Sequence, residues 1–394
     1  MKFLFDNESF SFETLRAAGF ANYDGADLGE ILATTREIED GDEASWLRAW
    51  QATARRVEQR AEQSLAAGHR VSAREALLRA SNYYRTAEFF RRAEPATDPE
   101  AIELSRRSRA TFAAAVALFD TPVHTVTIPY EDTTLPGYLF LVDDSGTARP
   151  TVIYNNGYDS TAEESYFAVA AAALRRGYNV LAFDGPGQGA ALREQGLVFR
   201  PDWEAVLTPV VDFALTRPEI ALFGYSLGGY LVARAGAFEH RVAALVLDDG
   251  VHDFFGAFER VMPPFLISWI IEGRDEVTNP ILAMLAAGDT NVRWALDNGI
   301  WAMGADSAAD YVRRTRAYTL AGVADRIDCP TLILDAEQDQ FFRGQPQELR
   351  KALTAPTTLI TLTEADGAGE HCHAGAMSQL HREMFDWLDD TLGR

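Results

Sequence analysis

The sequence predicts an α/β fold, a mostly parallel and doubly wound sheet that follows a helical N-terminal domain. Short apolar runs such as 151–154 and 179–183 alternate with helix-forming stretches over residues 122–394, and turns rich in glycine and acids follow these runs. Residues from about 11 to 119 instead lack strand alternation and are rich in Ala, Arg, Glu and Leu, which is typical of helices. We therefore predict a helical cap domain over residues 1–121 and the sheet domain after it.

A serine between glycines stands where an apolar run meets a helix-forming stretch, in Gly224-Tyr225-Ser226-Leu227-Gly228-Gly229. A nucleophilic serine on a sharp strand-to-helix turn needs glycine on both sides, because the strained turn leaves no room for a neighbouring Cβ. Such a turn also aims the first free N–H groups of the helix at developing negative charge. The pattern therefore predicts Ser226 as the nucleophile of a serine hydrolase and Leu227 N–H as one oxyanion donor.

The polar turn after the run 150–154 is predicted to supply the second oxyanion donor. It reads Asn155-Asn156-Gly157-Tyr158-Asp159, and Tyr158 N–H is the candidate. The turn after the next run, Asp184-Gly185-Pro186-Gly187-Gln188-Gly189, is a further landmark of such hydrolases. Its third glycine comes two residues after the second, whereas a dinucleotide-binding fingerprint needs three, so no nucleotide loop is predicted.

A nucleophilic serine needs a histidine base, and the base needs a carboxylate to hold its tautomer. An apolar run at 331–334 is followed by three acids, of which Asp339 is the predicted partner, while Asp335 and Glu337 remain alternatives. The base must lie in the loop after 357–362.

That loop carries His371-Cys372-His373, and the spacing alone does not choose between the two histidines. A metal site built on these three residues lacks a second cluster of ligands, so the sequence predicts no metal.

Between Phe254 and roughly Leu320 the chain is rich in phenylalanine and helical, and it is inserted between two core strands. We predict a lid over about 254–320 that roofs the serine together with the N-terminal helices. Aromatic residues at helical spacing within 82–90 are usually core and only sometimes a pocket wall. The candidate pocket residues are Asp159, Tyr83, Tyr84, His252 and Asp253.

The chain is acidic, with a formal charge of −22 and a pI near 4.7, and such a surface repels nucleic acid and anionic lipid. The longest apolar stretch, 262–271, carries two prolines and is too short to span a bilayer. Only two cysteines are present, which excludes a disulfide framework and fits a reducing compartment. We therefore expect a cytoplasmic protein that binds neither nucleic acid nor membrane.

Five segments together resemble one α/β-hydrolase family, which contains 2,6-dihydroxypseudooxynicotine hydrolase and polyketide chain-shortening hydrolases of pigment pathways. The segments are 79–88, 156–159, 183–189, 224–229 and 369–372. The resemblance implies the α/β-hydrolase fold, a homodimer with an N-terminal helical cap, and no cofactor. It also implies a small-molecule substrate, an aromatic or polyketide β-dicarbonyl compound whose carbon–carbon bond beside a ketone is hydrolysed.

Carried over by motif, the family's triad falls on Ser226, Asp339 and His371, the histidine that cysteine directly follows. One family member uses a further acid in its lid region, for which Asp249, Asp253 and Glu259 are all candidates here. A carboxylesterase or lactonase needs the same triad, and a nucleophile other than water at the acyl-enzyme would make the chain an acyltransferase or cyclase. A binding protein that keeps only the cleft is disfavoured by the intact triad.

Overall fold

The computed structural model describes residues 2–214 and 219–394, and within them it contains one eight-stranded sheet in the order β1-β2-β4-β3-β5-β6-β7-β8. The hairpin of β1 and β2 joins β4 in antiparallel fashion, and the remaining neighbours are parallel. The strands are β1 Val123–Tyr130, β2 Thr133–Phe140, β3 Thr151–Asn155, β4 Asn179–Phe183, β5 Ile220–Tyr225, β6 Ala244–Asp248, β7 Thr331–Ala336 and β8 Thr357–Leu362. The predicted α/β class is confirmed.

The segment before β1 forms five α-helices, and acid or amide side chains begin four of them. These helices are α1 Glu8–Gly19, α2 Leu28–Thr35, α3 Glu43–Ala66, α4 Arg70–Glu88 and α5 Pro99–Val116. Asn7, Asp27, Asp42 and Asp98 accept hydrogen bonds from N–H groups in the first turns of α1, α2, α3 and α5. The predicted boundary at 121/122 thus separates helices from strands along the chain, but the hydrophobic core of these helices continues into one face of the sheet.

Helices cover both faces of the sheet, as parallel strands require. The fully buried strands β3 to β7 alternate their side chains between two hydrophobic clusters, one on each face. On the face of the N-terminal helices lie α6 (Ala171–Arg175) and α16 (Met377–Leu392). On the other lie α7 (Gly189–Gln195), α8 (Glu204–Ala214), α9 (Gly228–Gly236) and α15 (Gln345–Ala352).

Five further helices fill the chain between β6 and β7, where the sequence predicts the lid. They are α10 Phe254–Val261, α11 Pro264–Ile271, α12 Asp275–Gly288, α13 Thr290–Ala302 and α14 Ala308–Arg314. Two hydrogen bonds join the ends of the insertion, from Phe254 N–H to Tyr318 O at 3.0 Å and from Leu320 N–H to His252 O at 2.9 Å. The two ends of the lid therefore lie side by side next to the sheet.

The lid also contacts the N-terminal helices directly. Trp294 of α13 stacks on Phe89 with ring centroids 4.6 Å apart, and its Nε1–H donates to Phe89 O at 2.8 Å. None of the helices in the described residues combines the length and apolar character needed to cross a membrane.

Candidate active site

Ser226 occupies the turn between β5 and α9, with a left-handed φ of 60°. A Cβ at Gly224 would lie 2.1 Å from Gly228 O, and one at Gly228 would lie 2.6 Å from Asn155 O. Both glycines are thus required by close backbone approach, as the sequence pattern suggests. The turn leaves the Ser226 side chain half-buried and pointing into a cleft at the carboxyl ends of the strands.

His371 links this serine to an acid. Its Nε2 lies 2.9 Å from Ser226 Oγ, and its Nδ1 lies 2.8 Å from Asp339 Oδ2. Asp339 Oδ1 also accepts the N–H groups of Phe341 and Phe342 at 2.6 and 2.7 Å. Burial alone would raise the pKa of Asp339, but the adjacent His371 and these N–H donors hold it well below its usual range. The structure thus brings the three residues that the motifs select into one hydrogen-bonded chain.

The alternatives to this chain lie elsewhere. His373 is buried with its Nδ1 2.8 Å from Ala368 O and its Nε2 3.3 Å from Asp248 Oδ1. Asp335 accepts hydrogen bonds from the side chains of Gln347 and Thr361. Glu337 accepts the N–H of residue 364 at 2.8 Å. None of the three is bonded to His371.

A second acid at His371 is the main feature that the sequence did not place. Asp249, the residue after β6, is fully buried, and its Oδ2 lies 2.7 Å from His371 Nδ1. Burial and the negative charge of Asp339 raise the pKa of Asp249 well above its usual value. Its position at the carboxyl end of a central parallel strand was the available signal. The other two candidates for an additional acid differ: Asp253 caps α10, and Glu259 is exposed on it.

Burial would lower the pKa of His371, but the Cys372 thiol and the two acids raise it well above its usual value. Asp249, His371 and Cys372 bring a carboxylate oxygen, a ring nitrogen and a thiol within 4.8 Å of one another. His373, the third member of the metal site weighed from the sequence, faces Asp248 instead. Both ring nitrogens of His371 contact other side chains, Ser226 and Asp339. The sequence-based expectation that the site binds no metal stays a prediction.

The two predicted oxyanion donors flank the serine. Leu227 precedes α9, and Tyr158 follows Gly157 in the loop after β3. A Cβ at Gly157 would lie 2.8 Å from Ser226 Cβ and 3.3 Å from its Oγ, so the loop packs directly against Ser226. In the part of the chain that the structure describes, no protein acceptor engages either N–H. Both donors are therefore available to a developing oxyanion.

The glycine-rich turn at 184–189 braces the loop 155–159, which carries the predicted donor Tyr158 and is called the oxyanion loop below. Gln188 Nε2 donates to the carbonyl oxygens of Asn156 and Gly157 at 2.6 and 3.0 Å. Asp184 Oδ1 accepts from Asn156 Nδ2 at 2.8 Å and from the N–H of Ala162 at 2.8 Å. Burial, reinforced by the nearby charge of Glu163, raises the pKa of Asp184 to about 7. The turn thus holds the loop in place.

A buried ion cluster ties the oxyanion loop to the N-terminal helices. Its members are Glu13 and Arg16 of α1, Arg85 of α4, and Asp159 and Glu164 after β3. Asp159 Oδ2 accepts from Arg16 at 2.7 Å and from Arg85 at 2.8 Å. Arg16 also pairs with Glu164 at 2.9 Å, and Arg85 with Glu13 at 2.7 Å. Burial raises the pKa of Glu13, although the charges of Arg16 and Arg85 oppose this shift, so the cluster holds three acids against two arginines.

A cavity of about 220 Å³ lies over Ser226, between the sheet edge, α1 and the lid. Its walls are mainly aromatic, and they include Phe12, Phe89, Phe254, Phe258, Trp294 and Phe341. Asp159, Glu13 and Arg16 are among its polar lining residues. Such a lining suits a ligand with an aromatic or apolar body and a few polar atoms.

Residues 152–383 match the model of the alpha/beta hydrolase family. The chain belongs to this family. It is 37% identical to the hydrolase LUC6 of a Fusarium species, over 99% of this chain and 98% of that protein. It is also 37% identical to the 20-hydroxy-prefusarin hydrolase FUS2 of Gibberella moniliformis, over 98% and 97%. The crystal structure of 2,6-dihydroxy-pseudo-oxynicotine hydrolase superposes with a TM-score of 0.74 over 95% of each chain at 24% identity, which shows the shared fold. The predicted family resemblance and fold are confirmed.

Among the predicted pocket residues of this α/β hydrolase, only Asp159 lines the cavity. Tyr83 is fully buried, packs on Trp50 and donates its hydroxyl to Glu30 at 2.9 Å. Tyr84 donates to Glu58. Both tyrosines therefore belong to the core between the N-terminal helices, and their prediction as a pocket wall is corrected.

His252 and Asp253 are corrected as well. Their N–H groups both donate to Gln345 Oε1, at 2.9 and 2.8 Å, and the Asp253 carboxylate caps α10 through Gly256 N–H. These residues form the base of the lid, where the chain leaves the sheet, and not the wall of the cavity.

Proposed function

We propose that this α/β hydrolase uses Ser226 to cleave a carbon–carbon bond beside a ketone in an aromatic or polyketide β-dicarbonyl substrate, through an acyl-enzyme. The observation that carries the proposal is the Ser226–His371–Asp339 hydrogen-bonded chain, which opens into an aromatic cavity beside two free N–H groups. The relative FUS2 is named a 20-hydroxy-prefusarin hydrolase, which supports a substrate of related chemistry.

In the first step Ser226 Oγ attacks the ketone carbonyl carbon while His371 Nε2 accepts its proton. Leu227 N–H and Tyr158 N–H stabilise the oxyanion of the tetrahedral intermediate. When this intermediate collapses, the bond to the α-carbon breaks, and its electron pair is delocalised onto the second carbonyl as an enolate. His371 returns the proton to that carbon, and the acyl group stays on Ser226.

In the second step water attacks the acyl-enzyme with His371 as base, which releases the acid and restores Ser226. Carbon is a poor leaving group, so the substrate must stabilise the departing carbanion. A β-dicarbonyl compound meets this demand, whereas a simple ketone does not. An ester releases an alkoxide and needs no stabilised carbanion. Esterase or lactonase activity is therefore the competing outcome.

The test is mass spectrometry of the products from a panel of aryl β-diketones beside matched aryl esters, with wild type and Ser226→Ala. Ser268→Ala is the control, because this serine is exposed on the outside of the lid. We expect cleavage of the diketones into acid and ketone by wild type and by the control, but not by Ser226→Ala. Ester turnover with untouched diketones would make the chain an esterase or lactonase. Diketone cleavage by Ser226→Ala would overturn the mechanism.

A further inference from the structure

His371 Nδ1 faces two carboxylates rather than one. Asp249 Oδ2 lies 2.7 Å away and Asp339 Oδ2 lies 2.8 Å away. The acids follow the neighbouring strands β6 and β7, and both side chains are buried. Two carboxylates that converge on one buried nitrogen cannot both be ionised at low cost, so one of them holds a proton.

The surroundings decide which acid is ionised. Asp339 accepts two backbone N–H groups, which favour its carboxylate form. Asp249 receives no comparable support: among the described residues no donor reaches its Oδ1, and its Oδ2 is 3.7 Å from Cys372 Sγ. The pKa directions agree, since the pKa of Asp249 is raised and that of Asp339 is lowered.

We propose that Asp249 is a second, interchangeable positioning acid for His371, which holds a proton while Asp339 is ionised and becomes the working carboxylate when Asp339 is lost. The proposal rests on the serine-hydrolase function proposed above. Asp249 does not touch the substrate; it acts by orienting the ring and stabilising the imidazolium. The other ionisable groups against it are Cys372 and the buried pair of Asp248 and His373.

The number of negative charges beside His371 predicts how the pH profile changes in each variant. In the wild type one negative charge, on Asp339, lies beside His371. In Asp339→Asn the proton leaves Asp249, so one negative charge still lies beside the ring. Only the double variant loses this charge. Because a neighbouring carboxylate raises the pKa of an imidazolium, the acid limb of kcat/KM should stay in place in Asp339→Asn and move to lower pH in the double variant.

The experiment measures kcat, KM and pH profiles on p-nitrophenyl acetate, together with the rate at which a fluorophosphonate labels Ser226. The variants are Asp339→Asn, Asp249→Asn and the double variant, with Ser226→Ala as the inactive reference. Asp335→Asn is the matched control, because this buried acid lies near the end of β7, the strand that Asp339 follows, but bonds Gln347 and Thr361 instead of His371. Circular dichroism and thermal midpoints show that each variant folds.

We expect each single substitution to lower kcat by less than about 10²-fold with KM unchanged, and the double variant to lose about 10⁴-fold, the usual effect of removing a triad acid. Loss of activity in Asp339→Asn as large as in the double variant would overturn the proposal, and so would a shifted acid limb in Asp339→Asn. The same loss in Asp249→Asn alone would also overturn it, because Asp339 would then not suffice. Activity in Ser226→Ala would instead refute the proposed function.

Discussion

Replacing Arg16 by methionine should destabilise the protein by about 3–5 kcal/mol, the usual effect of removing one partner from a buried ion pair. Arg16 is only 8% exposed and pairs with Asp159 at 2.7 Å and Glu164 at 2.9 Å. Without it, three carboxyls face Arg85 alone, and we expect one additional carboxyl to bind a proton when the variant folds. Holding a carboxyl of ordinary pKa about 4 protonated at pH 7 costs about 4 kcal/mol, at 1.36 kcal/mol per pH unit, which agrees with the range above.

The assay is urea unfolding of Arg16→Met at pH 7 and pH 5, beside Arg106→Met. Arg106 pairs with Glu103 at 2.8 Å, but these side chains are 64% and 43% exposed, so its loss should cost under about 1 kcal/mol. The acid left unpaired by Arg16→Met has a raised folded pKa, so its penalty should be smaller at pH 5 than at pH 7. Equal free energies of unfolding for the two variants, or a penalty that does not change with pH, would refute the reasoning.

Two further predictions concern the serine turn and the buried pair beneath it. Gly157→Ala should lower the single-turnover acylation rate by about 10²-fold, which is the effect of losing an oxyanion donor. The reason is that a Cβ at this position would lie 2.6 Å from Tyr225 O and 2.8 Å from Ser226 Cβ, so the loop must shift. A wild-type acylation rate in this variant would contradict the prediction. Burial would lower the pKa of His373, but Asp248 raises it from 6.5 to about 9. The pair of His373 and Asp248 should therefore contribute about 3 kcal/mol to the free energy of unfolding. This contribution is complete below pH 6.5 and is lost as the pH rises through 9. Urea unfolding midpoints that do not fall over this pH range would exclude the prediction.

The candidate nucleophile Ser226 could be predicted from the sequence because its main determinant is local. A Cβ at Gly224 would meet Gly228 O within the same turn, so the spacing of the two glycines carries this information, whereas Gly228 is required by the approach of Asn155 O from β3. The residues next to His371 and His373 in the sequence do not show which of the two faces Ser226. Cys372 and His373 both have positive φ values, 49° and 54°, and this tight turn points the two rings toward different acids. Strand alternation cannot describe such a turn, and only the family resemblance selected His371.

The remaining site residues depend on contacts that are distant in sequence. Arg16 meets Asp159 across 143 residues, and Asp249 meets His371 across more than a hundred. No periodic pattern records these encounters. Tyr83 and Tyr84 show the opposite case, because helical spacing reveals which face of α4 is apolar but not which element covers it. The neighbouring helix α3 supplies Trp50 and Glu58 there, so the tyrosines face the core and not the cavity.

The oxyanion loop is the point where three parts of the molecule meet. The Tyr158 hydroxyl donates to Ala295 O in the lid at 3.0 Å and lies 2.8 Å from the hydroxyl of Tyr311, also in the lid. Its neighbour Asp159 accepts hydrogen bonds from Arg16 and Arg85 of the N-terminal helices. The N–H of the same residue is the proposed donor to the oxyanion. We therefore expect a lid substitution that reshapes the cavity to shift the proposed oxyanion donor as well. On this proposal substrate choice and chemical rate are coupled through Tyr158, so lid substitutions should alter kcat together with KM.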